Sequence, residues 1–220
     1  NSPQNPTGGV LTKKDVQAIA ELAEEHNSYV LSDEIYSKML YDGLTHYSPA
    51  YLDECRERTI IVDGFSKAYS MTGWRLGYIV APKEIIHKID MLFADVASCT
   101  TSFVQKGGVA ALKYGQDFVD SIMKKFSERR KAIVKGLNEV PGFSCILPKG
   151  AFYVFPNISE TEMKSEQLAN YIIEEAKVCL LPGTAFGSQG EGFLRLSYAS
   201  SLKDIDEGIN RLKETMEKMV

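Results

Sequence analysis

Two apolar runs in the first half of the chain lie too close together to be parallel neighbours in a sheet. The run 59–62 is β-branched and apolar, which is typical of a buried strand, and Asp63-Gly64 ends it. The next apolar run, 77–81, follows too soon for the crossover that joins parallel strands. The second run therefore predicts a strand antiparallel to the first, which restricts the fold to a mixed sheet.

Two cationic residues flank the link between these strands. Lys67 comes just past the carboxyl end of the first strand, where open α/β sheets bind their ligands. Arg75 precedes the second strand, so antiparallel pairing brings it to the same edge. An amine can form an imine, and a planar guanidinium suits a phosphate. The spacing thus predicts that Lys67 and Arg75 face one pocket.

A carboxylate is expected at the same edge. Thr12 followed by Asp15 has the form of a capping box, and helical periodicity then continues to about Asn27. A short apolar run, 29–31, comes next and leads directly into Asp33. An aspartate at the end of a buried strand is costly unless it meets a cation. We therefore interpret Asp33 as the partner of a cationic group, with a turn or helix cap as the alternative.

Four motifs occur in an order that resembles one enzyme family. The chain opens with NSPQNPTG, contains D-E-x-Y at 33–36 and S-K followed by G-x-R-x-G at 66–77, and ends with G-x-x-R-L-S around Arg195. This set is similar to that of the class I and II pyridoxal-phosphate (PLP) aminotransferases, of the aspartate aminotransferase kind. The resemblance implies a PLP-dependent aminotransferase that acts on α-amino acids and α-keto acids, as a homodimer.

The same resemblance implies a role for each motif residue. Lys67 would be the catalytic residue, holding the cofactor aldehyde as a Schiff base and carrying out a 1,3-proton transfer. The cofactor-binding residues would be Asn5, Asp33, Tyr36, Ser66, Lys67 and Arg75, with Asp33 on the pyridine nitrogen, Tyr36 and Asn5 on the phenolic oxygen, and Ser66 and Arg75 on the phosphate. Arg195, together with Asn5, would bind the substrate carboxylate.

The predicted fold class is α/β, with two domains. Residues 1–117 would form the second part of a large PLP-binding domain, a mostly parallel sheet with one antiparallel strand and flanking helices. Residues 118–220 would form a small α+β C-terminal domain that begins with a long connecting helix. In that domain the patterns predict strands at 143–147, 151–155, 178–181 and 193–198, the first two as a hairpin, and helices at 118–140, 166–177 and from 201 onward.

The resemblance extends over essentially all 220 residues but over only the second half to two thirds of a family member. The chain opens on Asn1 in turn-forming sequence, with no element before it. We therefore expect a C-terminal fragment that binds the cofactor weakly and is inactive alone.

Composition excludes several other partners. The 25 basic and 29 acidic residues give a net charge of −4, without a basic block that would bind nucleic acid or a membrane surface. The cysteines are scattered, which favours reduced thiols in a cytoplasmic protein and no metal site: Cys55, Cys99, Cys145 and Cys179. The histidines share no ligand spacing and are assigned no role: His26, His46 and His87.

Three other functions remain open at this point. A PLP-dependent lyase or synthase of the same fold would share the Lys67 and Arg75 motifs. A non-catalytic fragment or dimerisation module would keep the fold without the chemistry. An unrelated α/β ligand-binding domain has less in its favour, because the sequence contains neither a Walker nor a Rossmann glycine fingerprint.

Overall fold

The sheet expected on either side of the segment 64–76, which contains Lys67 and is called the lysine segment below, is present with the expected strand directions. The computed structural model describes residues 1–219 and contains β1 (Val30–Asp33), β2 (Thr59–Gly64) and β3 (Gly77–Val80) in one three-stranded sheet, in the order β1-β2-β3. Strand β1 is parallel to β2, and β3 is antiparallel to β2. The predicted α/β class and the antiparallel strand are thereby confirmed.

Two glycines explain how β2 and β3 approach each other so closely. Gly64, the last residue of β2, is directly paired with Gly77, the first residue of β3. The lysine segment connects these two residues. A Cβ atom added to Gly64 would lie 2.9 Å from the carbonyl oxygen of Leu76, closer than real Cβ contacts come. A larger residue at position 64 would therefore push β3 away from β2.

Four helices accompany this sheet: α1 (Lys13–Glu25), α2 (Asp53–Arg56), α3 (Lys83–Ala97) and α4 (Ser102–Tyr114). The predicted capping box starts α1, since Thr12 Oγ1 accepts a hydrogen bond from the Asp15 amide and Asp15 Oδ2 accepts one from the Thr12 amide. Helix α1 buries its apolar face, but none of the residues of α3 is buried. The four residues of β3 are also exposed. These two elements leave an apolar surface in contact with solvent.

The chain is divided into two compact units. The first contains Asn1–Pro3 and Val10–Ile122, and the second contains Gln4–Gly9 and the chain from Met123 onward. Helix α5 (Gln116–Leu137) therefore begins in the first unit and ends in the second. The domain boundary expected after residue 117 stays a prediction. Within residues 1–219, no helix combines the length and the hydropathy needed to cross a bilayer.

The second unit contains a small antiparallel sheet with two helices. Strands β4 (Tyr153–Val154), β5 (Leu181–Pro182) and β6 (Leu194–Ser197) are arranged in the order β4-β6-β5. Helices α6 (Ser165–Glu175) and α7 (Leu202–Glu217) each bury an apolar face in this unit. Its core includes side chains that are almost completely inaccessible to solvent: Leu137, Val154, Leu168, Ile172, Leu194 and Leu212.

The predicted hairpin of 143–147 with 151–155 is wrong. The segment 143–147 forms only a single bridge, from Ser144 to Asn157, and β4 pairs with β6 instead. The reason is that the Asn138 side chain bonds the backbone groups of Cys145 that a neighbouring strand would otherwise bond. Its side chain accepts a hydrogen bond from the Cys145 amide (2.7 Å) and donates one to the Cys145 carbonyl (2.9 Å). The strand expected at 178–181 is also displaced, to Leu181–Pro182.

Substituting Asn138 should measure the value of this contact. We expect Asn138→Ala to lower the free energy of unfolding by about 1–3 kcal/mol, because both polar groups of the Cys145 backbone lose their partner. Urea unfolding would measure the change. The matched control is Asn210→Ala, an exposed asparagine on α7, which should change stability by less than about 0.5 kcal/mol. Equal effects of the two substitutions would show that Asn138 does not hold the segment.

Candidate functional site

The sheet register brings three of the predicted site residues to one edge of the first unit. Asp33, the last residue of β1, is paired with Val62 in β2. Lys67 follows the end of β2 at Gly64, and Gly64 is paired with Gly77, two residues after Arg75. The carboxyl ends of β1 and β2 and the start of β3 therefore share this edge. Asp33, Lys67 and Arg75 thus belong to segments that meet at this edge, whereas their facing one pocket stays a prediction.

Backbone hydrogen bonds within the lysine segment fix the position of the Lys67 main chain. The amide of Phe65 donates to Leu76 O (3.2 Å), the amide of Met71 donates to Phe65 O (3.3 Å), and the amide of Ser70 donates to Lys67 O (3.2 Å). The Phe65 ring is buried and packs against Tyr69, with 5.5 Å between ring centroids. Ser66 and Lys67 are both half-buried. Backbone hydrogen bonds and the buried Phe65 ring thus define the course of the loop that carries Lys67.

Tyr36 lies close to the lysine. The Lys67 Nζ atom is 6.0 Å from the centroid of the Tyr36 ring, within the range of a cation–π contact. The Tyr36 side chain is only 5% exposed. The turn after β1 and the loop after β2 therefore share one polar surface that includes a primary amine and a phenol.

The Asp33 side chain is oriented by the backbone amide of Ile35, two residues further along the chain. Its Oδ1 atom accepts a hydrogen bond from the Ile35 amide (3.2 Å), and its carbonyl oxygen accepts one from the Ser2 amide (3.3 Å). The residue is exposed at the end of β1. A carboxylate with a fixed orientation and an accessible face is suited to hold a cationic ligand group.

Arg75 occupies an uncommon backbone conformation at the start of β3. Its φ and ψ angles are 50° and 48°, in the left-handed region. One guanidinium nitrogen, Nη1, donates to Thr72 O (2.9 Å). The side chain is exposed and borders an open cavity of about 440 Å³ that Asp63, Tyr78 and Phe93 also line. The position suits an anion bound at the edge of the sheet.

Asp63 is a charged residue at this edge to which the sequence pattern gave no role. Its Oδ1 accepts a hydrogen bond from the Gly64 amide (2.6 Å), and its Oδ2 accepts one from the Tyr78 hydroxyl (2.9 Å). Burial raises the pKa of the Asp63 carboxyl, and burial with this hydrogen bond raises the pKa of the Tyr78 hydroxyl. The pair thus fixes the end of β2 immediately before the lysine loop.

The remaining two site residues lie together in the second unit. Arg195 Nη1 donates a hydrogen bond to Asn5 Oδ1 (3.1 Å). The guanidinium carbon is 4.6 Å from the ring centroid of Tyr153 and 5.0 Å from that of Phe186. Within residues 1–219, the buried Nε atom of Arg195 has no hydrogen-bond partner. The guanidinium therefore lies close to two rings and carries one buried donor that has no partner in the described residues.

Backbone hydrogen bonds hold the turn that carries Asn5. The Gly8 amide donates to Gln4 O and the Gln4 amide donates to Gly9 O, both at 2.8 Å. The amides of Lys149 and Gly150 in turn donate to Gly8 O, at 2.9 and 3.0 Å. Gly8 has a φ angle of +68°, which favours glycine. The turn expected from the NPTGG sequence thus presents the Asn5 amide to Arg195.

Sequence reasoning missed several neighbours of the site. His46 was given no role, yet its Nε2 lies 3.0 Å from Oε2 of Glu34, the residue after Asp33. The signal available was Glu34 itself, because a carboxylate at a buried strand end needs a partner. Tyr153 and Phe186 left no comparable signal, since aromatic residues in a small domain usually indicate core packing.

Comparison with protein families identifies one match, to "Aminotransferase class I and II", which covers residues 1–212. Among curated proteins, the chain is 44% identical over 219 residues to an aspartate aminotransferase of Pyrococcus horikoshii, covering 99% of this chain and 56% of that protein. It is 42% identical to aromatic-amino-acid aminotransferase 2 of Thermococcus litoralis, again covering 99% of this chain and 56% of that protein.

Solved structures give the same result. An aromatic aminotransferase from Pyrococcus horikoshii superposes with a TM-score of 0.96 at 43% identity, covering 100% of this chain and 60% of that one. An aspartate aminotransferase from Thermus thermophilus with maleate superposes with a TM-score of 0.91 at 35% identity, covering 98% of this chain and 55% of that one. The chain thus spans little more than half the length of these relatives.

Proposed function

The chain belongs to the class I and II aminotransferases, a PLP-dependent family, and on this premise we propose that it takes part in PLP-dependent amino-group transfer between α-amino and α-keto acids. The observation that carries the proposal is the sheet edge of the first unit. There Lys67, beside the Tyr36 ring, follows one strand, and Asp33 ends the parallel neighbour. A nucleophilic amine and an acceptor carboxylate are the two groups that this chemistry needs most.

The residues at this edge fit PLP. Lys67 would attach the cofactor covalently, Asp33 would hold a proton on its ring nitrogen, and Tyr36 would donate to its phenolic oxygen. Arg75 and Ser66 would bind its phosphate. Gly64 cannot be replaced by a phosphate-binding serine without moving β3, because a Cβ there would collide with Leu76 O. We therefore assign the phosphate hydroxyl contact to Ser66, the residue before Lys67.

The bound cofactor supplies an electron sink that weakens the Cα–H bond of an amino acid. The chain's own contribution is a base: once the amino group of the substrate has displaced Lys67, its free Nζ amine would accept the Cα proton and would give it up again in the second half of the 1,3-transfer. The backbone hydrogen bonds of the loop 65–71 favour this step, since they fix the position of the Cα atom from which the Lys67 side chain extends.

Substrate binding is proposed for the second unit. Arg195 would bind the α-carboxylate through two parallel N–H donors, and Asn5 would add its amide. The support is the Nε of Arg195, which has no partner in the described residues, and the two rings that lie within 5.0 Å of the guanidinium carbon. An aspartate aminotransferase from Thermus thermophilus, similar in fold, was crystallised with maleate, a dicarboxylate.

Assembly and location are also proposed. We expect a homodimer and a cytoplasmic protein, in agreement with the exposed apolar residues of β3 and α3 and with four free cysteines. Because the chain corresponds to 56% of its relatives' length, the 220 residues alone are proposed to bind PLP weakly and to turn over slowly or not at all.

The test starts with cofactor capture, which is sensitive to weak binding. The protein is mixed with excess PLP, treated with borohydride and digested, and the peptide that carries the cofactor is identified by mass spectrometry. We expect a single modified site, Lys67. PLP also reacts slowly with any accessible amine. Modification spread over several exposed lysines would therefore indicate such non-specific labelling and would contradict the proposal.

A second assay separates amino-group transfer from the lyase or synthase alternative. An isotope-labelled amino acid is supplied with and without an α-keto acid acceptor, and the label is followed into the product. A transferase moves label into the acceptor and stops without it, whereas a lyase consumes the amino acid in both cases. Site-specific capture on Lys67 without any turnover would support the non-catalytic alternative.

A further inference from the structure

The carboxylate of Glu34 is buried beside the proposed cofactor site and is fully engaged. Its Oε1 atom accepts hydrogen bonds from the hydroxyls of Ser48 (2.6 Å) and Ser32 (2.9 Å). Its Oε2 atom is 3.0 Å from Nε2 of His46. The residue is only 6% exposed. A charge at this depth is costly unless several partners compensate for the lost water, and here they do.

The backbone of Glu34 is fixed as well. Its amide donates to Val62 O in β2 (2.9 Å), and its carbonyl oxygen accepts from the Ser37 amide (2.7 Å). Glu34 lies between Asp33, whose carboxylate points at the Ile35 amide, and the turn that carries Tyr36. The orientation of both neighbours therefore depends on where Glu34 is held.

Electrostatics supports an ionised Glu34. Burial opposes ionisation, but the His46 imidazole and the hydroxyls of Ser48 and Ser32 together outweigh it, so the pKa of the Glu34 carboxyl lies below its ordinary value. The charge also reaches the neighbouring strand: burial is the main cause of the raised pKa of Asp63, and Glu34 adds to it. The Glu34 carboxylate is thus a buried negative charge directly beside the proposed cofactor-binding residues.

We propose that Glu34, clamped by Ser32, Ser48 and His46, is a positioning residue that sets the orientation of Asp33 and Tyr36 toward the cofactor. The inference rests on the proposed function of those two residues. The Glu34 carboxylate contacts Ser32, Ser48 and His46, so we expect it to act on the cofactor through Asp33 and Tyr36. Its substitution should change how the cofactor is held and not only how stable the protein is.

The competing explanation is that the cluster merely fastens the segment 37–52 to the sheet. A matched control is available in Thr59→Val. Thr59 is 2% exposed, and its hydroxyl donates to Cys55 O at 2.8 Å, at the opposite end of the β1–β2 pair. This variant removes a buried hydrogen bond from the same sheet but leaves Asp33 and Tyr36 untouched.

The first measurement needs no cofactor. Hydrogen exchange of the Ile35 amide reports its bond to Asp33 Oδ1. We expect Glu34→Ala to increase the exchange rate at least about tenfold, as for a lost charge-assisted hydrogen bond, and Thr59→Val to leave it within about twofold of wild type. His46→Gln, which keeps a donor near Glu34, should restore protection that His46→Ala loses. The His46 variants also stand in for Glu34→Ala if that variant does not fold.

The second measurement uses protein carrying ¹⁵N-labelled PLP fixed on Lys67 by borohydride. The ¹⁵N chemical shift of the pyridine nitrogen reports the proton that Asp33 holds there. We expect the shift to move toward the value of free, unprotonated cofactor in Glu34→Ala and His46→Ala, and to match wild type in Thr59→Val and His46→Gln. If the role of Glu34 were merely structural, the pyridine ¹⁵N shift would not distinguish the first two variants from the last two.

The outcomes are distinct. Unchanged Ile35 exchange in both Glu34→Ala and His46→Ala would overturn the proposal, and so would altered exchange with an unaltered pyridine shift. If wild type takes up no cofactor at Lys67, the proposed function fails, whereas the positioning of Asp33 by Glu34 is still decided by the exchange measurement.

Discussion

Replacing Lys67 with alanine should abolish covalent capture of PLP by this chain. The reason is chemical: at the carboxyl end of β2, Lys67 is the amine that lies close to the Tyr36 ring, and without its nitrogen the imine that attaches the cofactor cannot form there. Where turnover is measurable, loss of the amine should lower its rate by at least about 10²–10⁴-fold, the usual contribution of a positioned acid–base group. Capture followed by peptide mass spectrometry measures the first effect, and the label-transfer assay measures the second.

Two control variants make this result specific. Lys67→Arg keeps a cation beside the Tyr36 ring but offers no nucleophilic nitrogen, so it should fold as wild type and still fail to capture the cofactor. Lys83→Ala removes an exposed lysine at the start of α3 and should capture normally. Capture by Lys67→Ala at the wild-type level would assign the attachment to another lysine and refute the proposed site.

Replacing Arg195 with lysine should weaken carboxylate binding by about 10–100-fold. A lysine keeps the charge but loses the planar pair of donors, and hydrogen bonds to charged groups contribute about 1.5–3 kcal/mol. It would also lose the flat contact with Tyr153 and Phe186. Calorimetric titration with maleate would give the affinity directly, and it does not depend on turnover.

The control for Arg195 is Arg211→Lys in the same unit. Arg211 lies on α7, where its Nε donates to Glu207 on the helix surface (2.8 Å), and its substitution should leave maleate binding within about twofold. An NMR signal from the Arg195 Nε–H group offers a second readout, because this donor is unpartnered in the described residues and should shift when an anion binds. A maleate affinity unchanged in Arg195→Lys would remove Arg195 from the substrate site.

The sequence was most informative where local patterns decide the geometry. The position of Lys67 follows from a β-branched run that ends in Asp63-Gly64, and the position of Asp33 follows from a helix and a short strand before it. Strand direction then brings both to one sheet edge, since parallel strands end on the same side. These steps need only periodicity and spacing, so they were predictable without the structure.

Contacts made by single side chains over longer distances were not predictable in this way. Asn138 replaces a strand partner of Cys145, and His46 reaches Glu34 from a loop with no period of its own. Both depend on where an irregular segment returns to the sheet or helix, which neither propensity nor periodicity specifies. The expected strand at 143–147 was wrong for this reason.

The discontinuous make-up of the two units has a practical consequence for dissecting this protein. The turn Gln4–Gly9 is grouped with the chain from Met123 onward, whereas Asn1–Pro3 and Val10–Ile122 are grouped with each other. A recombinant piece that starts at Met123 would therefore lack Asn5 and leave Arg195 without its amide partner. Grafting the NPTGG turn back through a circularly permuted gene would be needed before such a piece could report on carboxylate affinity.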